Sequence, residues 1–171
     1  YSTLFNYLST ANIPIVWTLH DCWSFTGHCT YFDYIGCKKW EIQCHNCPQI
    51  KSYPESLFID RSKENFNLKK TLFKSVNNLT IVPVSDWLSQ VIKKSFLSSY
   101  PIQTIYNGIS LDTFSPIVDT EMIKVKYNIN NRNILLGVAT SWSSRKSLDD
   151  YIKLSSHLST DYVIVLIGLS Q

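Results

Sequence analysis

The sequence has no long apolar run, no internal repeat and no low-complexity tract. Its longest apolar run, YVIVLIGL at 162–169, has eight residues, whereas a helix that spans a bilayer needs about 20. The pattern Gly-x-Gly-x-x-Gly is absent, which argues against a dinucleotide-dependent dehydrogenase. Nothing suggests a serine, histidine and aspartate arrangement for nucleophilic catalysis. With 44% hydrophobic and 17% charged residues, the composition predicts a soluble globular protein.

The sequence also lacks a strong excess of either positive or negative charge. The 16 lysines and arginines and 13 acidic residues give a net charge of +3, and the pI is near 8.5. The lysines stand in small scattered groups, which is typical of solvated faces: Lys38–Lys39, Lys69–Lys70 and Lys93–Lys94. We therefore predict no nucleic-acid partner. A weak peripheral contact with an anionic membrane surface, or with a phosphorylated ligand, stays open.

Regular patterns of apolar residues cover most of the chain. Short apolar runs rich in β-branched residues predict strands at 13–19, 79–85, 102–107, 133–140 and 161–168. Amphipathic stretches predict helices at 1–11, 62–76, 85–97, 119–127 and 147–158. This alternation predicts βαβ units with parallel sheets. A break near 108–116 predicts two α/β domains, 1–108 and 109–171, and the abrupt ends of the pattern predict a fragment in which both domains are incomplete.

Several element boundaries carry signals of their own. Ser62 is predicted to cap the second helix, and Ser85 or Asp86 is predicted to cap the third. Asn107–Gly108 predicts a turn at the end of the third strand. The first strand is predicted to be buried, because its sequence IPIVWTL is almost entirely apolar.

All five cysteines fall between residues 22 and 47. Four of them share the spacing C-x7-C-x6-C-x2-C, and four thiolates suit a tetrahedral structural zinc ion: Cys29, Cys37, Cys44 and Cys47. His28 and His45 stand beside these candidate ligands and could replace one. The alternatives are disulfides in an exported chain, an iron–sulfur cluster, or unlinked buried thiols. Cys22 is predicted to be a buried thiol outside the metal site.

Three loops follow predicted strands, and ligands of open parallel sheets bind at the carboxyl ends of the strands. His20–Asp21 follows the first strand, Ser85–Asp86 follows the second, and TSWSSRKS at 140–147 follows the first strand of the second domain. A histidine at such an edge can donate to a sugar hydroxyl or a phosphate oxygen. The alternative is a histidine that caps the strand end and pairs with the neighbouring aspartate.

Arg145 and Lys146 lie in the third of these loops, just before a predicted helix. Arginine offers phosphate a planar fork, lysine offers a point charge, and the first amides of a helix also favour anions. Such cations stabilise the charge that develops on a departing diphosphate. The alternative is an ordinary surface Arg–Lys pair.

Four segments, in order and spacing, resemble one enzyme family: WTLHDCWSFTGHC at 17–29, IVPVSDWL at 81–88, IYNGISLDTF at 105–114 and GVATSWSSRKSLDDYIKL at 137–154. They are similar to bacterial family 4 glycosyltransferases (glycosyl transferases group 1), which have the GT-B fold of two facing Rossmann-like domains. The Cys-rich segment resembles that of a subgroup. Ser110 and Ser147 depart from the aspartate and glycine common in the family. The family's glycine-rich loop and acidic donor motif would lie before residue 1 and after residue 171.

The resemblance implies a role for each domain. Residues 1–108 would be the C-terminal part of the N-terminal, acceptor-side domain, with a Cys-rich insert at 22–50. Residues 109–171 would begin the C-terminal domain, which binds the nucleotide-sugar donor. The implied activity is retaining transfer of a sugar, of hexosyltransferase type, to a glycan or lipid-linked acceptor in cell-surface polysaccharide biosynthesis. It would occur in the bacterial cytoplasm or at the inner face of the membrane, without a cofactor for catalysis, and the fragment alone would be inactive.

The resemblance also implies residue roles. Arg145 and Lys146 would bind the donor diphosphate, with more weight on Arg145, and His20 would lie near the reacting sugar as the catalytic candidate. Four further residues would line the cleft, with loop orientation, capping and hinge geometry as their competing roles: Asp21, Ser85, Asn107 and Gly108. The competing hypothesis is a non-enzymatic zinc-binding interaction module on an α/β scaffold.

Overall fold

The computed structural model describes residues 1–116, 120–129 and 131–169. The chain divides into two compact units, Tyr1–Gly108 and Ile109–Gln171. Each unit is a mixture of helices with a two-stranded parallel sheet, which confirms the predicted α/β class with parallel sheets. The assignment of the units to acceptor and donor sides stays a prediction. Among the described residues, no helix combines the length and apolarity needed to cross a bilayer.

The first unit contains three helices and two strands. In chain order these are α1 (Ser2–Thr10), β1 (Ile15–Leu19), α2 (Ser62–Phe73), β2 (Leu79–Pro83) and α3 (Asp86–Ile92). Strands β1 and β2 pair in parallel from Ile15 opposite Leu79 to Leu19 opposite Pro83. The three predicted helices and the predicted strands at 13–19 and 79–85 are therefore present, and each is shorter than its sequence pattern.

The predicted strand at 102–107 is wrong in extent. Only Ile102 bridges β2, opposite Ile81, although the Gln103 and Ile105 amides also donate to β2 carbonyls at 3.0 and 3.1 Å. The segment thus runs alongside β2 as a poorly paired third strand. The turn predicted at Asn107–Gly108 is also wrong, because the turn lies at 111–113.

Strand β1 is only half-buried, in contrast to the predicted buried strand. Ile15, Trp17 and Leu19 face the core, whereas Val16 is 68% exposed. Alternate side chains of a strand point to opposite faces of its sheet. Helices cover one face of the first sheet, and the outward apolar side chain of Val16 has no described layer over it.

The core of the first unit is built largely from aromatic rings. Phe73 of α2 is fully buried, and its ring centroid lies 4.2 Å from that of Phe5 on α1 and 5.0 Å from that of Trp17 on β1. Tilted and edge-to-face pairs of this kind add to the hydrophobic contribution of burial. One side chain therefore joins α1, α2 and β1.

The Cys-rich segment has no strand, but it is packed. It contains three short 3-10 turns, Trp23–Phe25, Asp33–Ile35 and Lys39–Glu41. Phe25, Phe32 and Trp40 are buried, and the rings of Phe32 and Trp40 stack with centroids 4.6 Å apart. The segment is thus held by an aromatic cluster of its own, which is continuous with the core of the unit.

Helix α2 begins differently from the prediction. Arg61 is the residue before the helix and makes no side-chain cap, so Ser62 is not the cap. Instead, the Ser62 amide donates to Asp60 Oδ1 at 2.8 Å. The Ser62 hydroxyl is buried, with no partner among the described residues. Asp60 therefore satisfies an amide that the sequence pattern assigned to Ser62.

The second unit contains α4 (Glu121–Lys126), β3 (Asn133–Ser141), α5 (Leu148–Ser155) and β4 (Tyr162–Leu169). Strands β3 and β4 are parallel, and their register shifts between Val138 and Ser141. A 3-10 turn, Ser144–Lys146, joins β3 to α5. Helix α4 is shorter than the predicted 119–127, and residue 119 lies outside the described residues.

Candidate functional site

The carboxyl ends of β1 and β2 lie side by side. Leu19 pairs with Pro83 at the ends of the two strands, and the Val84 amide donates to the Leu19 carbonyl at 3.3 Å. Because parallel strands end at the same edge of the sheet, the next residues leave together. The fold therefore brings the His20 loop and the Ser85 loop to one edge of the first unit.

His20 and Asp21 differ in their surroundings. His20 is exposed, so a ligand can reach its ring. Asp21 is half-buried, and its Oδ1 accepts a hydrogen bond from the Trp23 amide at 2.8 Å. A carboxylate bonded to the amide two residues later forms a local turn. The Asp21 side chain therefore orients the loop that carries His20.

Ser85 is the cap of α3. Its Oγ accepts a hydrogen bond from the Leu88 amide at 3.2 Å, and its backbone is extended at φ −156°. Both features are typical of a residue that precedes a helix. Of the two predicted caps, Ser85 is therefore the one that the structure confirms, and Asp86 is the first residue of the helix.

Asp86 binds a residue that the sequence did not single out. The Tyr106 hydroxyl donates to Asp86 Oδ2, which ties the segment before Asn107 to the start of α3. The hydrogen bond to this carboxylate raises the pKa of Tyr106, because it favours the protonated phenol. Asn107 and Gly108 are both exposed. A Cβ on Gly108 would meet nothing within 4 Å, so packing does not require glycine there.

Arg145 and Lys146 lie in the 3-10 turn that follows β3. Both residues are exposed. Asp149 and Asp150, in the first turn of α5, are also exposed, and their two negative charges balance the two positive ones. The positive end of the helix dipole is therefore offset by carboxylates. A phosphate at this loop would depend on direct contact with the Arg145 and Lys146 side chains.

Ser147 starts α5 from an uncommon backbone conformation. Its φ of 58° and ψ of 34° lie in the left-handed region, which costs a residue other than glycine roughly 1–2 kcal/mol. Its carbonyl accepts from the Asp150 and Tyr151 amides at 3.1 and 3.2 Å. This geometry gives a physical reason why glycine is common at the equivalent position of the resembled family.

Trp142 anchors the same loop and was missed at the sequence level. It is buried, and its ring lies edge-to-face with Tyr151 of α5, with centroids 5.6 Å apart. A Cβ on Gly137 would lie 2.8 Å from the Trp142 ring, so glycine on β3 makes room for the indole. The available signal was a large aromatic directly after a strand, beside a glycine within that strand.

The four candidate zinc ligands line one small cavity in the first unit. Its volume is about 10 Å³, close to the space taken by one water-sized sphere. All five cysteines are free thiols, and Cys22 is fully buried outside the cavity lining, as predicted.

The thiols of this cavity interact with one another. A hydrogen bond with Cys47 raises the pKa of the Cys29 thiol, and the same bond lowers the pKa of Cys47 to about 7. Burial raises the pKa of Cys44 to about 11, against the opposing effect of a hydrogen bond from the Gly27 amide. Cys47 is also hydrogen-bonded to the Gln49 amide. Backbone amides of this kind stabilise a thiolate.

The thiols do not yet form a coordination shell. Within residues 1–116, 120–129 and 131–169, no three His, Cys, Asp or Glu side chains are grouped so that they could hold a metal ion. The zinc assignment therefore stays a prediction. His28 and His45 line the same cavity, and His28 Nε2 is buried without a partner in the described part of the chain.

Lys69 is the most unexpected residue near the cysteines. It is 1% exposed, and its ammonium donates to the Trp23 and Thr26 carbonyls at 2.7 and 3.0 Å. It also lies 3.4 Å from the centroid of the Trp23 ring. Burial lowers the pKa of Lys69 to about 7, and the charges of Cys44 and Cys29 act in the opposite direction. The prediction that Lys69–Lys70 belongs to a solvated face is therefore wrong for Lys69, although Lys70 is exposed.

The chain is similar to a known curated protein. Over 116 residues the chain is 34% identical to "Putative colanic acid biosynthesis glycosyl transferase WcaC" of Escherichia coli (strain K12). The aligned segment covers 66% of this chain and 27% of that protein. The chain thus spans about a quarter of the relative's length. No family model matches the chain. No solved structure matches it either. Over 66% of its length, the chain is therefore similar to a protein described as a glycosyl transferase.

Proposed function

We propose that the chain is part of a retaining family 4 glycosyltransferase with the GT-B fold, from the subgroup that carries a Cys-rich insert. It transfers a sugar, of hexose type, from a nucleotide-sugar donor to a glycan or lipid-linked acceptor during synthesis of a cell-surface polysaccharide. The observation that carries the proposal is the 34% identity over 116 residues to the E. coli protein. The parallel α/β units support it, because Rossmann-like domains are parallel α/β structures.

In this proposal the second unit binds the donor. Arg145 and Lys146 contact the diphosphate oxygens, with Arg145 making the larger contribution through its planar fork. As the bond from the sugar to the diphosphate breaks, negative charge grows on those oxygens, and fixed cations lower the barrier by stabilising it. The buried Trp142 ring and the left-handed Ser147 hold the loop in place for this contact.

The first unit contributes the catalytic histidine in this proposal. His20 lies at the carboxyl edge of the sheet and is exposed, and Asp21 orients its loop through the Trp23 amide. His20 donates a hydrogen bond to a sugar hydroxyl or phosphate oxygen at the reacting centre. In this proposal Ser85, Asn107 and Gly108 line the cleft in which the reacting sugar binds.

The proposal also specifies the cofactor requirement and the cellular location of the reaction. Catalysis requires no cofactor, because the protein cations stabilise the leaving group. A nucleotide-sugar donor places the reaction in the bacterial cytoplasm, and a lipid-linked acceptor places it at the inner face of the membrane. The 171 residues alone are inactive, since they span about a quarter of the relative's length.

The test is a nucleotide-sugar titration of the full-length protein, followed by a transfer assay. A panel of uridine, guanosine and adenosine diphosphate sugars is titrated by calorimetry against wild type, Arg145→Ala and Lys126→Ala. Lys126 is the matched control, because it is an exposed lysine at the end of α4. We expect binding of at least one donor, turnover reduced by about 100-fold or more in Arg145→Ala, and no change in Lys126→Ala. NMR of the product should show that the anomeric configuration of the donor is kept.

Three results would contradict the proposal or a part of it. Binding of no nucleotide sugar by the full-length protein would favour the zinc-binding interaction module instead. Donor binding that Arg145→Ala and Lys126→Ala affect equally would remove the assignment of the diphosphate site. A product of inverted configuration would leave a transferase but overturn the retaining mechanism.

A further inference from the structure

We propose that Cys29, Cys37, Cys44 and Cys47 bind one structural zinc ion, and that Lys69 and Lys39 are its counter-charges. The inference does not rest on the proposed transferase activity. It is carried by four thiols and Lys39, which line one cavity of the first unit, and by the buried Lys69, whose ammonium donates to the carbonyl of Thr26 in the same lining. The role is structural, because four protein thiolates leave no open position for a substrate.

The chemistry of the side chains around the cavity fits zinc. All four thiols line a space of about 10 Å³, and zinc prefers four sulfur ligands in a tetrahedron. Binding converts four thiols and Zn²⁺ into a tetrathiolate of net charge −2, with release of four protons to water. Among the described residues, no three of these side chains are yet grouped closely enough to hold a metal ion, so zinc binding would draw the four sulfurs together.

The backbone around Cys44 and Cys47 has the form that a two-cysteine ligand turn requires. Asn46 lies between them in a left-handed conformation, at φ 44°, which turns the chain sharply. The Gly27 amide donates to the Cys44 sulfur and the Gln49 amide to the Cys47 sulfur. The Cys47 amide is itself held by Asp60 Oδ2 at 2.7 Å. Amide hydrogen bonds to sulfur and a fixed backbone are the outer-shell contacts that orient metal ligands.

Buried Lys69 gives a second, independent reason to expect an anionic metal centre beside the cysteines. An ammonium ion that is 1% exposed is costly unless an anion balances it. Lys69 has no salt bridge within 4 Å among the described residues. Its charge interacts with Cys44 and Cys29 and, to a smaller extent, with Asp21. A zinc tetrathiolate of charge −2 beside Lys69 would balance this buried cation.

Lys39 provides a second positive charge, in the lining of the cavity. It lines the cavity, and its Nζ donates to the carbonyls of His45 and Asn46 at 3.1 and 3.0 Å. These are the two residues between Cys44 and Cys47, so Lys39 is held against the ligand turn. Lys39 and Lys69 together carry the +2 that neutralises the tetrathiolate.

The first test measures metal. The full-length protein is purified under reducing conditions, treated briefly with a weak chelator and analysed by mass spectrometry for zinc and iron. We expect about one zinc per chain and no iron. Replacement by Co²⁺ should give the strong visible bands of tetrahedral cobalt bound to four thiolates. Cys47→Ser should lose the metal, and Cys22→Ala should keep it, because Cys22 lies outside the cavity lining.

The second test measures the lysines. Zinc affinity is determined by competition with a chromogenic chelator for Lys69→Met, Lys69→Arg and Lys70→Met; Lys70 is the exposed neighbour of Lys69 on α2. We expect Lys69→Met to weaken zinc binding by about 10- to 100-fold, Lys69→Arg to keep most of the affinity, and Lys70→Met to change nothing. Lys39→Met, at a partly exposed position, should weaken binding in the same direction if Lys69→Met does not fold.

Several outcomes would overturn the inference. Zinc well below one equivalent, with all four thiols reacting freely with a thiol reagent, would leave the cysteines as unlinked thiols. Iron in place of zinc, or a disulfide in the protein purified without reductant, would favour another of the alternatives. Affinity within twofold of wild type in both Lys69→Met and Lys39→Met would remove the counter-charge role.

Discussion

The two units follow the same strand–helix pattern but differ in what they bury. Sixteen buried residues of the first unit form one hydrophobic core that includes the Cys-rich segment. In the described part of the second unit, the buried hydrophobic residues are Ile129, Ala139 and Trp142. Leu136 and Val138 of β3, both apolar, are 58% and 67% exposed. The first unit is therefore stabilised by its own packing, whereas the described part of the second unit buries few apolar side chains.

The largest expected effect is in the aromatic core of the first unit. Phe73→Ala removes the ring that joins α1, α2 and β1, and we expect the free energy of unfolding to fall by about 3–5 kcal/mol. Leu68→Ala, on the same helix at a position 43% exposed, should cost far less. Urea unfolding followed by tryptophan fluorescence measures both. A loss below about 1 kcal/mol in Phe73→Ala would show that the core does not depend on this ring.

A smaller effect is expected at the cap of α3. Ser85→Ala removes the acceptor of the Leu88 amide and should lower the free energy of unfolding by about 1 kcal/mol. Ser85→Asp should retain stability, because aspartate is an equally good cap. The same urea titration measures both variants. Equal losses in the two variants would mean that the serine acts by something other than capping.

The smallest effect should have the opposite sign and lie in the second unit. Ser147→Gly relieves the left-handed backbone at φ 58°, and we expect it to stabilise the unit by about 0.5–1 kcal/mol. Ser155→Gly, at the end of the same helix, should instead destabilise it by a similar amount. Amide hydrogen exchange in β3 and β4 reports on this unit separately from the first. Destabilisation by Ser147→Gly would contradict the claim that the backbone of Ser147 is strained.

Much of the fold could be predicted because local periodicity dominated it. The helix and strand positions, the parallel pairing and the Ser85 cap all follow from residue patterns within a few positions of one another. The convergence of the His20 and Ser85 loops follows too, since neighbouring parallel strands end at one edge.

The rest depended on long-range contacts that a linear pattern does not contain. Lys69 is buried among carbonyls 43 and 46 residues earlier in the chain, which accept hydrogen bonds from its ammonium. The strand predicted at 102–107 is reduced to a single bridge to β2 at Ile102, and Val16 is exposed because one sheet face has no described cover. Ser147 has a left-handed backbone because the loop anchored by Trp142 must turn into α5. In each case tertiary geometry overrode the local preference.

The proposed division of labour between the units can be tested on donor binding and turnover together. Arg145→Ala and His20→Ala are made in the full-length protein, and the donor Kd and kcat are measured for each. We expect Arg145→Ala to weaken donor binding by about tenfold or more. We expect His20→Ala to leave the donor Kd within about threefold of wild type and to lower kcat by about 100-fold or more. The reverse pattern, or two variants that both behave as wild type, would contradict the assignment of donor binding to the second unit and catalysis to the first.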